Sequence, residues 1–113
     1  MKNKYGARKL TAPDGQVFDS VKEYHRWECL KLLQRAGMIK DLKRQVKYVL
    51  IPAQRDQIGK VVEREMSYIA DFEYFDMEKG EKVVEDCKGF KTEVYRIKKK
   101  MMLWVHGIRV KET

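Results

Sequence analysis

Residues 83–90 read "VVEDCKGF", opening like an ordinary buried strand and then setting two acids and a lysine where apolar residues would continue. Side chains of a strand alternate between faces, so Val84, Asp86 and Lys88 point one way and Val83, Glu85 and Cys87 the other. An acid and a base therefore share one face. Gly89 follows, where the backbone can turn away tightly or a ligand can approach closely.

Upstream, "EMSYIADFEYFD" (65–76) reads as a preceding strand and "MEKG" (77–80) as the hairpin loop that joins it to "EKVVEDCKG" (81–89). If Asp76 and Glu81 close that loop, Asp71 lies opposite Asp86, on the same face and next to Lys88. A register shift of two keeps them together. Further back, "LKRQVKYVLIP" (42–52) alternates, with Val46, Tyr48 and Leu50 on one face and Gln45, Lys47 and Val49 on the other, as the first strand of the sheet. "AQRDQIGK" (53–60) between them reads as a polar loop.

Two helices bracket these strands. Asp19 or Ser20 caps the first, which runs to about Ala36 and stops at Gly37, and Ser20 and Glu23 have capping-box spacing. It carries two apolar stripes, Val21, Cys29, Leu32 and Ala36 on one side and Tyr24, Trp27 and Leu30 on the other, so both sides call for cover. Thr92 caps the second helix, which runs to about His106 and stops at Gly107. Its apolar stripe is Val94, Ile97, Met101, Trp104 and Val105, with Lys98 in the middle and Arg96, Lys99 and Lys100 on the far side. At the start, "RKL" (8–10) and "QVF" (16–18) flank the turn residues "TAPDG" as a short hairpin, and near the end Ile108 and Val110 suggest a fourth strand. The order is hairpin, α, β, β, β, α, β, an α/β (α+β) fold with a mixed central sheet flanked by two helices.

A chain of 113 residues makes one domain, 1–113, that buries roughly two thirds of the surface its unfolded form exposes. With 43% hydrophobic residues and two prolines the composition is globular. Its apolar runs are too short to span a membrane and "MKNKYGARK" lacks a signal-peptide core, which makes a cytoplasmic location the expectation. Cys29, Cys87, His25 and His106 have no zinc-ligand spacing and read as reduced thiols and isolated imidazoles. Lys and Arg exceed Asp and Glu by 25 to 17, a net charge of +8 with a pI near 9.5. A polyanion is the natural partner, nucleic acid ahead of a membrane surface because no basic amphipathic anchor stands apart from the fold.

Two carboxylates and a lysine on adjacent strands suit a Mg²⁺ or Mn²⁺ site. Magnesium usually takes only one or two carboxylates from protein and fills its shell with water and substrate phosphate. Asp71 and Asp86 supply those. A metal there lowers the pKa of bound water and neutralises charge in an in-line displacement at phosphorus, and Lys88 orients the water or stabilises the oxygen charge. The plain alternative is a cross-strand ion pair worth a few tenths to ~1 kcal/mol. Against it, both acids are embedded in apolar and aromatic sequence, where a charge is costly unless bound.

At this point the chain resembles the PD-(D/E)XK, or restriction-endonuclease-like, nucleases, whose core is α, β, β, β, α, β. It is more closely similar to a group of short phage-encoded Holliday-junction-resolvase-like endonucleases, through "FDSxxE", "YIADFxYF", "VVEDxKGF" and the lysine-rich helix that follows, from about Tyr5 to Val110. Ala70 stands where the name of the motif has proline, and Asp86 where many members have glutamate; neither removes a charge. The resemblance implies a metal-dependent DNA endonuclease acting on branched or junction DNA, with the backbone carbonyl of Cys87 as a metal ligand beside Asp71 and Asp86. It also nominates Glu23 as a third catalytic and metal-binding acid, while the sequence equally reads Glu23 as the second half of its capping box.

Lys98 either snorkels outward or reaches the bound phosphate, and Gln45 is an accessory on the acid face or a polar edge residue. Binding to DNA phosphates falls to Lys91, Arg96, Lys99 and Lys100 together with Lys43, Arg44 and Lys47. For each of them a solvated charged face is the alternative. So small a nuclease covers little DNA, and a homodimer would let two sites address two strands, with the second apolar stripe of the first helix as one candidate interface. Two other readings stay open: a non-catalytic DNA-binding or packaging accessory protein, and a nuclease indifferent to DNA structure.

Overall fold

The computed structural model describes residues 9–113. Arg8 of the expected first hairpin strand and nearly all of "MKNKYGARK" lie outside the described residues. Strands β1 (Leu10–Thr11) and β2 (Val17–Phe18) pair antiparallel around a turn in which Asp14 Oδ1 accepts from the Gln16 amide at 3.0 Å. Helix α1 (Val21–Arg35) starts on Ser20, whose Oγ accepts from the Glu23 amide, and Gly37 follows its end in the left-handed conformation, φ 78°.

Next come β3 (Ile39–Ile51), the short ribbon β4 (Gln54–Arg55) and β5 (Val61–Glu63), then β6 (Met66–Asp76), β7 (Glu81–Asp86), helix α2 (Glu93–His106) and β8 (Lys111–Glu112). The main sheet has the order β3-β6-β7-β8, antiparallel except for the parallel β7–β8 pair. The fold is therefore α+β, two helices and a mixed four-stranded sheet with two small ribbons. No helix among the described residues is long and apolar enough to cross a membrane.

The β6–β7 hairpin has the register that its four-residue loop dictates. Asp76 pairs with Glu81 and Phe72 with Glu85, so one further step sets Asp71 across from Asp86. Two apolar clusters flank the sheet. Leu30 and Trp27 of α1 pack on Ile39, Phe72, Tyr74 and Val83, with Trp27 stacked on Phe72 at 6.1 Å. Tyr95 and Met102 of α2 pack on Leu50, Tyr68, Ala70, Val84 and Val110. Each fully buried side chain of this kind contributes about 1.5–3 kcal/mol.

Neighbours Val83 and Val84 serve different clusters, so the clusters lie on opposite faces of the sheet. On β6, however, Tyr68 and Ala70 belong to the α2 cluster and Phe72 and Tyr74 to the α1 cluster, although a regular strand would keep all four on one face. The crossing falls at Asp71. Opposite it on β3, between the pairs Arg44–Phe72 and Val46–Ala70, Gln45 has φ 52°, a left-handed conformation uncommon outside glycine. A second such residue, Asp41 at φ 57°, sits in the bulge between Lys40 and Lys43.

Several expectations are corrected. β7 ends at Asp86 rather than Gly89, because Asp71 takes the Cys87 amide that would have continued the ladder. Gly89 has no left-handed φ, and a Cβ there would meet nothing, so the backbone does not require glycine for a tight turn. The region 53–60 is not a plain loop. Asp56 Oδ1 accepts the Ile58 and Lys60 amides, folding a turn with Gly59 at φ 88° that joins β4 to β5. The fourth strand is Lys111–Glu112, with Ile108 and Val110 packing ahead of it. Most of the apolar stripe expected on α2 faces outward: Val94, Ile97, Trp104 and Val105 are exposed, Trp104 by 89%, and Tyr95 and Met102 face the sheet instead. On α1 the stripe of Val21, Cys29 and Leu32 is likewise exposed.

Candidate functional site

Asp71, Asp86, Lys88, Glu23 and Gln45 come together where the two strands change faces. Asp71 Oδ2 accepts from the Cys87 amide at 2.8 Å and its Oδ1 from Gln45 Nε2 at 3.3 Å. Asp86 is fully buried. Its Oδ2 accepts the Tyr68 hydroxyl and lies 3.5 Å from Lys88 Nζ, while its Oδ1 is buried without a hydrogen-bond partner. Lys88 Nζ stands 4.8 Å from the centre of the Tyr95 ring, a cation–π contact that holds the ammonium beside Asp86. Burial, then the adjacent Asp71 carboxyl, push Asp86 up to about 8, far above the usual carboxylate range.

Glu23 divides its two oxygens between the start of α1 and the acid face. Oε1 accepts from the Asp19 amide at 3.0 Å, at the start of α1. Oε2 accepts from Gln45 Nε2 at 3.1 Å and faces Arg44 Nη2 at 3.4 Å. The Gln45 amide thus ties Glu23 to Asp71, and burial followed by Asp71 raises the Glu23 pKa above the usual carboxylate range.

Among the described residues no three His, Cys, Asp or Glu side chains are gathered at metal-ligand spacing. The donor set is two facing carboxylates, the number Mg²⁺ commonly takes from protein. An unpartnered oxygen on a buried carboxyl has a standing cost that a bound cation removes. The residues present therefore fit a small, oxygen-loving divalent ion, with Glu23 one amide away.

Glu85 belongs to the opposite face. It is fully buried there, bound by Arg26 through Nε at 2.8 Å and Nη2 at 2.7 Å and by the Tyr74 hydroxyl. That bidentate pair fastens α1 to β7.

The expected phosphate-binding residues divide. Arg44 is held inside the protein: its guanidinium lies 3.8 Å from the Phe18 ring centre and donates to Gln16 Oε1 and the Val17 carbonyl. Lys43 pairs with Glu73 at 3.6 Å and Lys47 with Glu65. Lys98 is half-buried on α2 and makes no ion pair among the described residues. Lys91, Arg96, Lys99 and Lys100 line one groove of about 520 Å³ between α2 and β8, together with Arg109 and Glu112.

Four contributors were not anticipated: Tyr68, Tyr95, Arg109 and Glu112. Strand parity places Tyr68 on the face away from Asp71, and only the crossing at Gln45 brings its hydroxyl to Asp86.

A family model described as "Protein of unknown function (DUF1064)" matches residues 2–110. The chain belongs to the DUF1064 family. No curated protein and no solved structure matches it. The match to the DUF1064 model takes in the acid pair, Lys88, Glu23 and every groove cation, and it leaves out Lys111, Glu112 and Thr113.

Proposed function

We propose that this protein is a Mg²⁺- or Mn²⁺-dependent endonuclease of the restriction-endonuclease-like kind, hydrolysing phosphodiester bonds in DNA, with branched or junction DNA as the preferred substrate. The observation that carries the chemistry is the buried, unpartnered Asp86 Oδ1 beside Asp71 and Lys88. Asp71 and Asp86 hold the cation, with the Cys87 carbonyl as a further oxygen donor. Bound there, the ion supplies an activated water and neutralises charge on the phosphate oxygens. Lys88, fixed by Asp86 and the Tyr95 ring, orients the attacking water and stabilises the developing oxygen charge. Tyr68 fixes the Asp86 carboxyl through Oδ2 and leaves Oδ1 for the cation, and Gln45 holds Asp71 through Oδ1. Glu23 acts through Gln45 or directly on a second ion. The preference for branched DNA rests on the resemblance set out above. The exposed α1 stripe of Val21 and Leu32 is where a second copy would seat in a homodimer.

The deciding experiment incubates purified protein with labelled four-way junction, linear duplex and single strand, with Mg²⁺ or EDTA, beside Asp86→Ala and Lys88→Ala. Metal-dependent cutting that both variants reduce by at least about 100-fold supports the enzyme. Tight junction binding without cutting points to the accessory protein, and equal cutting of all substrates to a structure-indifferent nuclease.

A further inference from the structure

The groove between α2 and β8 holds five cations against one acid. Arg96, Lys100 and Arg109 have no carboxylate partner among the described residues. The other two converge on Glu112, Lys91 Nζ at 3.0 Å from Oε1 and Lys99 Nζ at 3.2 Å from Oε2. The Tyr95 hydroxyl donates to Oε2 at 2.8 Å. One small oxyanion is thus encircled by two ammonium groups and a hydroxyl, the donors that also suit a phosphate. Those contacts hold the Glu112 carboxyl down to about 2, the Tyr95 hydrogen bond foremost.

The place of this cluster matters. Glu112 pairs with Asp86 in the parallel β7–β8 register, so groove and acid pair are one strand apart, about 5 Å. They also share Tyr95, whose ring carries Lys88 and whose hydroxyl carries Glu112. Both lysines reach solvent, where ammonium–carboxylate pairs are weak, so an arriving phosphate can displace Glu112 from them.

We propose that this groove binds a phosphate of the nucleic-acid strand next to the acid pair, and that Glu112 holds the phosphate's place in the free protein. The identity of the ligand as nucleic acid rests on the nuclease reading; the site itself rests on the groove. In this arrangement Glu112 screens Lys91 and Lys99 and yields them to a polyanion that also engages Arg96, Lys100 and Arg109.

The test is the binding of fluorescently labelled duplex and four-way junction, by anisotropy in EDTA over a salt series, for the wild type, Glu112→Gln and Arg109→Gln. Glu112→Gln tightens binding about three- to tenfold and steepens the plot of log affinity against log salt by about 1 to 2, because two ammonium groups are released to phosphate. Arg109→Gln weakens binding several-fold and flattens the slope by about 1. A misfolded protein cannot bind more tightly, so the Glu112→Gln gain is safe from that confusion. Unchanged or weaker binding by Glu112→Gln, wild-type affinity in Arg109→Gln, or binding to anionic phospholipid vesicles with none to DNA each overturns the proposal. If these signs hold and Mg²⁺ still gives no cutting by the wild type, the nuclease reading fails and the groove stands.

Discussion

Asp86 shows how a single carboxyl is set against the stability of the fold around it. Folding raises its pKa from the usual carboxylate value to about 8, so between those limits the folded protein binds a proton that the unfolded chain releases. The corresponding stabilisation is complete below the unfolded pKa and is lost as pH rises through about 8. Thermal melts in EDTA therefore show the wild type losing stability from pH ~5 to pH ~9, whereas Asp86→Asn flattens the profile and melts about 5 °C higher at the alkaline end. Parallel profiles for the two proteins would refute this. Gln45 raises the matching question for the backbone. A non-glycine residue in the left-handed region costs about 1–2 kcal/mol, and the cost is larger for a β-branched side chain. Gln45→Gly leaves the melting temperature equal or higher while lowering metal-dependent cutting, because the amide between Glu23 and Asp71 is gone. Gln45→Val lowers both.

Among the elements, α1 depends on more than its apolar face. The Arg26–Glu85 pair lies between helix and sheet, and Arg26→Ala strands a fully buried carboxylate, costing about 3 kcal/mol in urea denaturation. A loss below about 1 kcal/mol would mean that Glu85 takes up a proton or finds another partner. The sequence made some of this architecture plain. A four-residue loop leaves a hairpin little choice of register, which is why the facing of Asp71 and Asp86 follows from Asp76 and Glu81 alone. The Ser20 and Thr92 caps are equally local, each a hydroxyl placed three residues before the amide it accepts. The buried face of α2 was not legible. Periodicity identifies the apolar residues of a helix but not the face its connections turn inward, and here Thr92 and the return to β8 insert Tyr95 and Met102, seven residues apart. Tyr68 was hidden for a related reason: alternation is a reliable guide only until a residue such as Gln45, which no composition rule marks, moves the strand to the other face.

Considered as a whole, the molecule measures 52 × 38 × 26 Å, and the β4–β5 ribbon adds nothing to its core. Every residue from Ile51 to Glu65 is exposed, Ile58 at the tip by 87%. Replacing residues 54–63 by a two-residue Asn-Gly turn therefore leaves the melting temperature within about 3 °C, by calorimetry; a larger fall would assign the ribbon a share in stability. Strand β6 is the reverse case. It is paired on both edges, and its even-numbered side chains are divided between the two apolar clusters. Neither cluster can come apart while those pairings persist, and losing them frees the other cluster as well. The amide protons of β6 should consequently trade with deuterium only through global opening, at one common rate for residues 68 to 74, although a side view of the sheet suggests two halves that could breathe separately.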